Sequence, residues 1–486
     1  GGSGGRVIFT GMAIGAGVKL LLAIVFLCPG SLAQSLPFLP KGEVALEVAP
    51  ALIGVGYILG YRQSAILVAG SIVASLALIP LIAWFGGGLP TPLYPETQNT
   101  IASMTAGQIW GRYVRYIGAG AVATAGILTV LKNLPVMAGA ARAVLQGLLR
   151  TKEEAGAAAA VPATDRDLPP AFIAAGVLVV VAVSAFVPGV FAGGMGPGPR
   201  LVCAAGVALF GILFVAVAAR IVGIVGVTSQ PTSGITLVTL LGIASLFAAA
   251  GWTTSAARAA VLTVGTIVAV AASKAGDISQ DLKTGWLVGA TPARQQLGQL
   301  LGAAFACFGV AATVLLLGNA YTFGSTEVPA PQATLMKTII EGVLAGALPW
   351  GLVLSGAGIA LSAILCGVSG LAFAIGVYLP LASMAAIYVG GAIRAVAERR
   401  AAGSPGAGTG PAEARPGVLA ASGLVAGEGL AGVLVAGLVA SGAIAKSRPP
   451  LLEGDLGRLA ALGLVAAIAF FLLRAGRRTG PSASGA

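Results

Sequence analysis

Glu428 lies near the centre of an apolar run from 417 to 445, inside Ala426-Gly427-Glu428-Gly429. An ionised carboxylate in such a run is expensive, so this acid is a candidate for proton coupling; the competing account is a protonated structural Glu bonded to a neighbouring helix. Asp277 and Asp281 are four apart and share one face if their stretch is helical, with Lys274 and Lys283 able to balance them. Facing a cavity they could bind a cation, a proton or a substrate amine; in a loop they are solvated charges. They belong to a polar island from Lys274 to Gln299, KAGDISQDLKTGWLVGATPARQQLGQ, between two long apolar runs, where Trp286, Leu287 and Val288 point to partial burial.

The chain contains no histidine, which removes HExxH metal sites, Ser-His-Asp triads and histidine proton relays. Proton handling therefore falls to carboxylates. Cys28, Cys203, Cys307 and Cys366 are scattered singly through apolar segments, with neither metal-ligand nor disulfide-framework spacing. No metal site, catalytic residue or cofactor is expected. An intramembrane enzyme would need paired acids or a nucleophile beside a base, and only Asp277 with Asp281 offers anything of that kind, so the chain does not read as an enzyme. Lys337 and Glu341 read as a surface ion pair and Arg112 with Arg115 as snorkelling anchors. Glu43, Glu47 and Glu96 read as solvated residues of connecting segments, although the stretch 90 to 108 is long enough to fold back as a gate.

The elements that must hold these residues are set by composition. The 486 residues are 57% hydrophobic and 9% charged, with mean hydropathy +0.96, whereas a soluble domain is about a quarter charged. Spanning the hydrocarbon core takes about 20 mostly apolar residues, and the chain supplies such runs repeatedly. The fold expected is all-α, a polytopic transmembrane helical bundle with broken or re-entrant helices, of secondary-transporter type. A β-barrel would need alternating strands that are absent from these continuous Ala/Leu/Val/Gly runs. The 73 glycines predict helices in close backbone approach. The net charge of +12 does not mark a nucleic-acid binder, because the cations sit at the ends of apolar runs without interleaved aromatics. A passive channel would show a filter of repeated charges or carbonyls, which so many different spans fit poorly.

Predicted spans are 7–28, 48–61, 64–85, 112–133, 171–191, 200–222, 233–250, 258–273, 296–318, 343–366, 368–393, 417–445 and 456–474, of which 48–61 is too short to cross comfortably. Arginines and lysines in 134–170, 394–416 and the tail place all three on the cytoplasmic side. Counting spans contradicts that for 394–416 unless one run fails to cross simply, and the suspect is 368–393, broken at Tyr378-Leu379-Pro380. A second interruption is Thr228-Ser229-Gln230-Pro231-Thr232-Ser233-Gly234. Pro- and Gly-interrupted helices open oriented backbone groups at the membrane midplane, which makes Gln230, Pro231, Thr232, Ser233 and Tyr378 candidate substrate contacts. The alternatives are a short polar loop and a structural kink. Residues 1–486 read as one integral membrane domain, with a charged linker at 151–169 and a flexible Gly/Pro loop at 401–416. The start, Gly1-Gly2-Ser3-Gly4-Gly5 before an apolar helix, reads as a truncated beginning rather than a signal peptide.

Five blocks carry a resemblance: SQPTSGITLVTLL (229–241), AGDISQDLKTGWLVGATPARQQLGQLLG (275–302), LPWGLVLSGAGIAL (348–361), LAFAIGVYLPLASMAAIYVGGAIR (371–394) and GLVAGEGLAGVL (423–434). Together they resemble the oligopeptide transporter superfamily, whose prokaryotic members and yellow-stripe-like metal-chelate branch share them. The resemblance implies a secondary-active transporter in a prokaryotic inner membrane, multi-pass and surrounded by lipid. It also implies proton-coupled uptake of small peptides or peptide-like compounds, with metal-chelate uptake as the alternative; the oligomeric state stays open. It further implies an N-terminal helical block ahead of the segment from Gly1 to Leu27, which this chain does not contain.

Overall fold

A computed structural model of the chain describes residues 2–150, 162–191, 195–225, 232–325, 328, 330–346, 349–401 and 415–476. The chain is helical nearly throughout, because apolar backbone in lipid must satisfy its N–H and C=O groups within its own segment. In order come α1 (Gly2–Ala23), a hairpin of β1 (Ser31–Ser35) and β2 (Glu43–Glu47), α2 (Pro50–Leu59) and α3 (Tyr61–Ile72). A π-helical segment, Val73–Leu78, joins α3 to α4 (Ile79–Gly86), and a second, Trp110–Val114, joins α5 (Ala106–Ile109) to α6 (Arg115–Arg150). Then follow α7 (Pro170–Phe186), α8 (Pro197–Val225), α9 (Thr232–Ala249), α10 (Ser255–Leu287), α11 (Pro292–Ala320) and α12 (Pro331–Ala345). The chain closes with α13 (Trp350–Leu365), α14 (Gly370–Tyr378), α15 (Leu381–Ala401), α16 (Pro416–Ala440) and α17 (Gly454–Gly476). Among the described residues nine helices are long and apolar enough to cross a membrane. The protein is an all-α polytopic membrane protein.

Two compact units divide the chain. The first takes Gly1–Val122, Thr313–Pro329 and Pro349–Ala486; the second takes Ala123–Ala312 and Ala330–Leu348. In the first, helices meet backbone to backbone through glycine. Side chains built on Gly11 and Gly15 of α1 would strike the carbonyls of Ala420 and Leu424 in α16, while Gly423 and Gly427 of α16 face the carbonyls of Ile8 and Met12. The contacts advance together along both helices, so α1 and α16 run parallel. The same reciprocal seam joins α2 to α15 (Gly56 on Ile387, Gly390 on Ile53), α3 to α14 (Gly70 on Phe373, Gly376 on Leu67) and α6 to α13 (Gly120 on Val353, Gly356 on Ile117). Small residues that admit such approach drive helix association in lipid, where no hydrophobic gain separates helix from solvent.

The broken run expected at 368–393 is present: α14 ends at Tyr378, Leu379 is extended, and α15 begins at Leu381. The run 48–61 is the ten-residue α2, about 15 Å long and so about half the hydrocarbon thickness. Other expectations are corrected. The span drawn at 343–366 is divided between α12 and α13. Residues 31–47, which carried no strand reading, form an antiparallel hairpin with Ser31 opposite Glu47.

The second unit contains α10, whose Thr254 cap accepts the Ala257 N–H at 3.2 Å. The predicted end at 273 is too early: helix continues through the polar island to Leu287, 33 residues or about 50 Å. It stops in a Schellman turn, where Gly289 has φ +77° and the Ala290 and Gly289 amides bond the carbonyls of Gly285 and Trp286. Pro292 then opens α11. A helix this long exceeds a ~30 Å core by several turns, and its polar end forms the excess. The linker expected at 151–169 is described from 162, and the loop at 401–416 only at its edges.

The seams give a paired test. Gly15→Ala should lower the detergent-solubilised melting temperature by several degrees, since overpacking against backbone costs about 1–3 kcal/mol. Gly17→Ala, on the same helix with open space where its Cβ would stand, should leave it unchanged or raise it. Equal effects from the two would show that backbone approach is not what α1 contributes.

Candidate functional site

The site grows from the way α2 begins. Its N-cap is Ala49, which has no side chain able to accept a hydrogen bond, and Pro50 supplies no N–H, so the first free donor is Ala51. That donor is met by Glu428, whose Oε2 accepts the Ala51 N–H at 2.6 Å. Glu428 stands twelve residues from Pro416 and twelve from Ala440, at the midpoint of α16. The start of a half-length helix therefore lies at the mid-depth of a full-length one, capped by a carboxylate.

Two more charges join this point. Lys19 of α1 runs alongside α16, with its Cε 3.9 Å from where a Cβ would stand on Gly432, and its ammonium and the Glu47 carboxylate are the charged neighbours of Glu428. Glu47, the last residue of β2, accepts the Ser383 hydroxyl at 2.6 Å. Ser383 belongs to the first turn of α15, just past the break at Leu379-Pro380, so α2 and α15 start at the same end. Their other contacts agree. Arg394, three turns further along α15, donates from Nη1 to the last carbonyls of α2, Tyr57 at 3.2 Å and Ile58 at 2.7 Å. The two helices run parallel, and α2 carries a carboxylate at its positive end and a guanidinium at its negative end. Arg394 is itself held by Glu398 at 2.9 Å, which Arg415 also reaches at 3.3 Å.

Tyr378, the last residue of α14, is buried, and its hydroxyl lies 3.4 Å from Arg115 Nε. Arg115 therefore faces a tyrosine at the helix break rather than snorkelling to an interface. Arg112 is likewise no free anchor, because its Nε pairs with Glu96 Oε2 at 2.9 Å. Glu96, expected in solvent, is only 5% exposed. Its Oε1 accepts the amides of Thr97 at 3.0 Å, Gln98 at 2.9 Å and Asn99 at 3.4 Å. These donors, Gln98 foremost, with Arg112 beside them, hold the carboxyl below the ordinary glutamate range. The same stretch is tied down by Tyr113, which donates to the Leu93 carbonyl at 2.6 Å, and by Lys41, which donates to Ala102 at 3.3 Å. Residues 87–105 are thus a fixed cover on the first unit.

The other predicted site residues lie in the second unit. Thr232 opens α9, and its carbonyl accepts the Thr236 hydroxyl at 2.8 Å. Gln230 and Pro231 lie outside the described residues, and of Ser233 only the helical backbone is described. Asp277 and Asp281 do occupy one face of a helix, but both are exposed on the polar end of α10. Asp277 stands 3.9 Å from Lys274, and Asp281 accepts Gln299 Nε2 at 2.9 Å, pinning α10 to α11. Trp286, Leu287 and Val288 are exposed rather than partly buried, with Lys283 stacked 4.1 Å over the Trp286 ring. Lys337 and Glu341 form the expected surface pair at 3.8 Å. Lys19, Glu47, Ser383 and Arg394 were missed; they are unremarkable in sequence, and only the fold brings them to α2. Among the described residues no cluster of three metal-ligating side chains occurs.

Nine long apolar helices among the described residues, with a helix broken at Leu379, define a multi-pass helical membrane protein. The chain belongs to the OPT oligopeptide transporter protein family, whose profile matches residues 7–439. A protein of Haemophilus influenzae named "Putative oligopeptide transporter" is 28% identical over 394 residues, covering 72% of this chain and 59% of the relative's own length. The resemblance read from the sequence blocks is borne out at the level of the family.

The Glu96 cradle yields a pH test with a definite sign. Because the folded carboxyl titrates below its unfolded value, its contribution is fully present above the ordinary glutamate pKa and is lost as pH falls through the lowered one. Pepsin should therefore spare the 87–105 segment of the wild type near the ordinary glutamate pKa and cut it only at lower pH. Glu96→Gln should be cut across that whole range, and identical profiles would remove Glu96 as the latch.

Proposed function

We propose that this protein moves small oligopeptides or peptide-like compounds across a prokaryotic cell membrane by secondary-active transport coupled to protons. The observation that carries this reading is Glu428, an acid at the midpoint of α16 that caps the opened start of α2. A carboxylate at that depth is costly when ionised, and its protonation changes what it can accept. Protonated Glu428 keeps one carbonyl oxygen for Ala51 but loses its charge opposite the positive helix end, Lys19 and Glu47. Uptake or release of the proton thus biases the contact that holds α2 to α16, which is the element a coupled transporter needs.

Substrate contact is assigned to Tyr378, at the α14–α15 break of the first unit, and Gln230, Pro231, Thr232 and Ser233 are kept as candidates from the sequence pattern alone. Asp277 and Asp281, exposed beyond the apolar part of α10, are further coupling candidates, placed to exchange protons with water. Membership of the family and the relative's name support the peptide class, with protons and membrane lipid as the other partners.

The test is uptake into liposomes by the intact protein under an inward proton gradient, comparing labelled tri- and tetrapeptides with an iron–chelate complex. Peptide accumulation that collapses with a protonophore is the expected result. Accumulation of the chelate alone would transfer the protein to metal-complex uptake, and accumulation of neither would overturn the transport reading. Glu428→Gln should reduce peptide uptake to simple equilibration while exchange of labelled for unlabelled peptide continues. A mutant that still concentrates peptide with wild-type pH dependence would take Glu428 out of the coupling role.

A further inference from the structure

Arg115 stands in an unusual place. It opens α6 directly after the π-helical segment Trp110–Val114 and is half-buried. Its Nε approaches the Tyr378 hydroxyl at 3.4 Å, and one turn further on a Cβ at Gly118 would stand 2.6 Å from Tyr378 Cα. The depth of this pair follows from contacts already described. Tyr378 ends α14; just past the break Ser383 bonds Glu47; Glu47 precedes α2; and the Ala51 amide bonds Glu428 at the midpoint of α16. Arg115 therefore stands near the same depth as the acids, on a different helix.

An arginine there needs an anion. Among the described residues no carboxylate lies within ion-pair distance of Arg115, since Glu96 is engaged by Arg112 and Glu398 by Arg394 and Arg415. A guanidinium presents its donors in a planar fork that fits a carboxylate two bonds at a time, and a tyrosine hydroxyl adds a third donor. The backbone beside this pair is irregular on two helices. The π-helical segments Val73–Leu78 and Trp110–Val114 bring Ala74 and Val114 into one cluster with Val377, beside the break, and π-bulges recur at functional sites because they leave part of the helical ladder open.

We propose that Arg115, assisted by the Tyr378 hydroxyl, binds the terminal carboxylate of the transported peptide. The inference rests on the transport reading and deepens it: the substrate is recognised by its free C-terminal carboxylate, which Arg115 holds.

The experiment measures proteoliposome uptake of labelled trialanine and of its C-terminal amide by the intact protein. Wild type should favour the free acid in KM by about tenfold or more, the scale of one charge-assisted contact. Arg115→Gln should raise the KM for the acid by about that factor and leave the amide within about twofold, so that the preference collapses. Arg115→Lys should keep part of it, and Tyr378→Phe should shift the acid alone and less. If Arg115→Gln does not reach the membrane, the wild-type preference and the Tyr378→Phe shift decide. Equal handling of acid and amide by wild type, or an undiminished preference in Arg115→Gln, overturns this inference while leaving peptide transport intact. Accumulation of neither peptide by wild type overturns the transport reading and this inference with it.

Discussion

A ten-residue apolar helix cannot end in hydrocarbon without help. α2 begins with an alanine and a proline and ends at a glycine, so none of its own side chains covers its terminal backbone groups. Each uncovered group at membrane depth would cost several kcal/mol. The protein meets this by bringing an acid from α16 to the first amide and an arginine from α15 to the last carbonyls. Both charges complement the helix dipole, and Arg394 is further held by Glu398. The parallel course of α2 and α15, the antiparallel course of α2 along α16 and the meeting of the hairpin with the α14–α15 break all follow from satisfying that short helix at both ends.

That solution makes the short helix sensitive to charge. Its two caps come from different helices, and one of them, Glu428, can change its charge, so protonation there alters the balance between neighbouring elements rather than the internal stability of one. Lys19 adds a third helix to the same balance. Under the proposed coupling, one group that keeps α2 in place, Glu428, is also the group the proton would address.

Much of this was legible in sequence, and the failures have physical causes. The class followed from apolar runs, the break from Tyr378-Leu379-Pro380, and Glu428 from its setting, because each is a local property. The partners of Glu428 and Glu47 are 377 and 336 residues distant along the chain, and no periodicity links such positions. Glu96 looked solvated because its cradle is its own following turn, Thr97-Gln98-Asn99, joined to an arginine of the next helix. The polar island was misjudged because polarity marks where a helix leaves the membrane, not where it ends; Asp277 to Leu287 contains nothing that stops a helix, and the stop comes at Gly289.

The glycine seams bear on how this sequence can drift. In a core packed by side chains, an enlarged residue on one helix can be answered by a smaller one on its neighbour. A methyl group added at Gly15, Gly56 or Gly356 would meet the carbonyl of Leu424, Ile387 or Ile117, and every amino acid carries that same carbonyl. No second substitution can remove the obstacle, so these positions lack compensating partners, and the lineage can explore new residues around the seams but not along them.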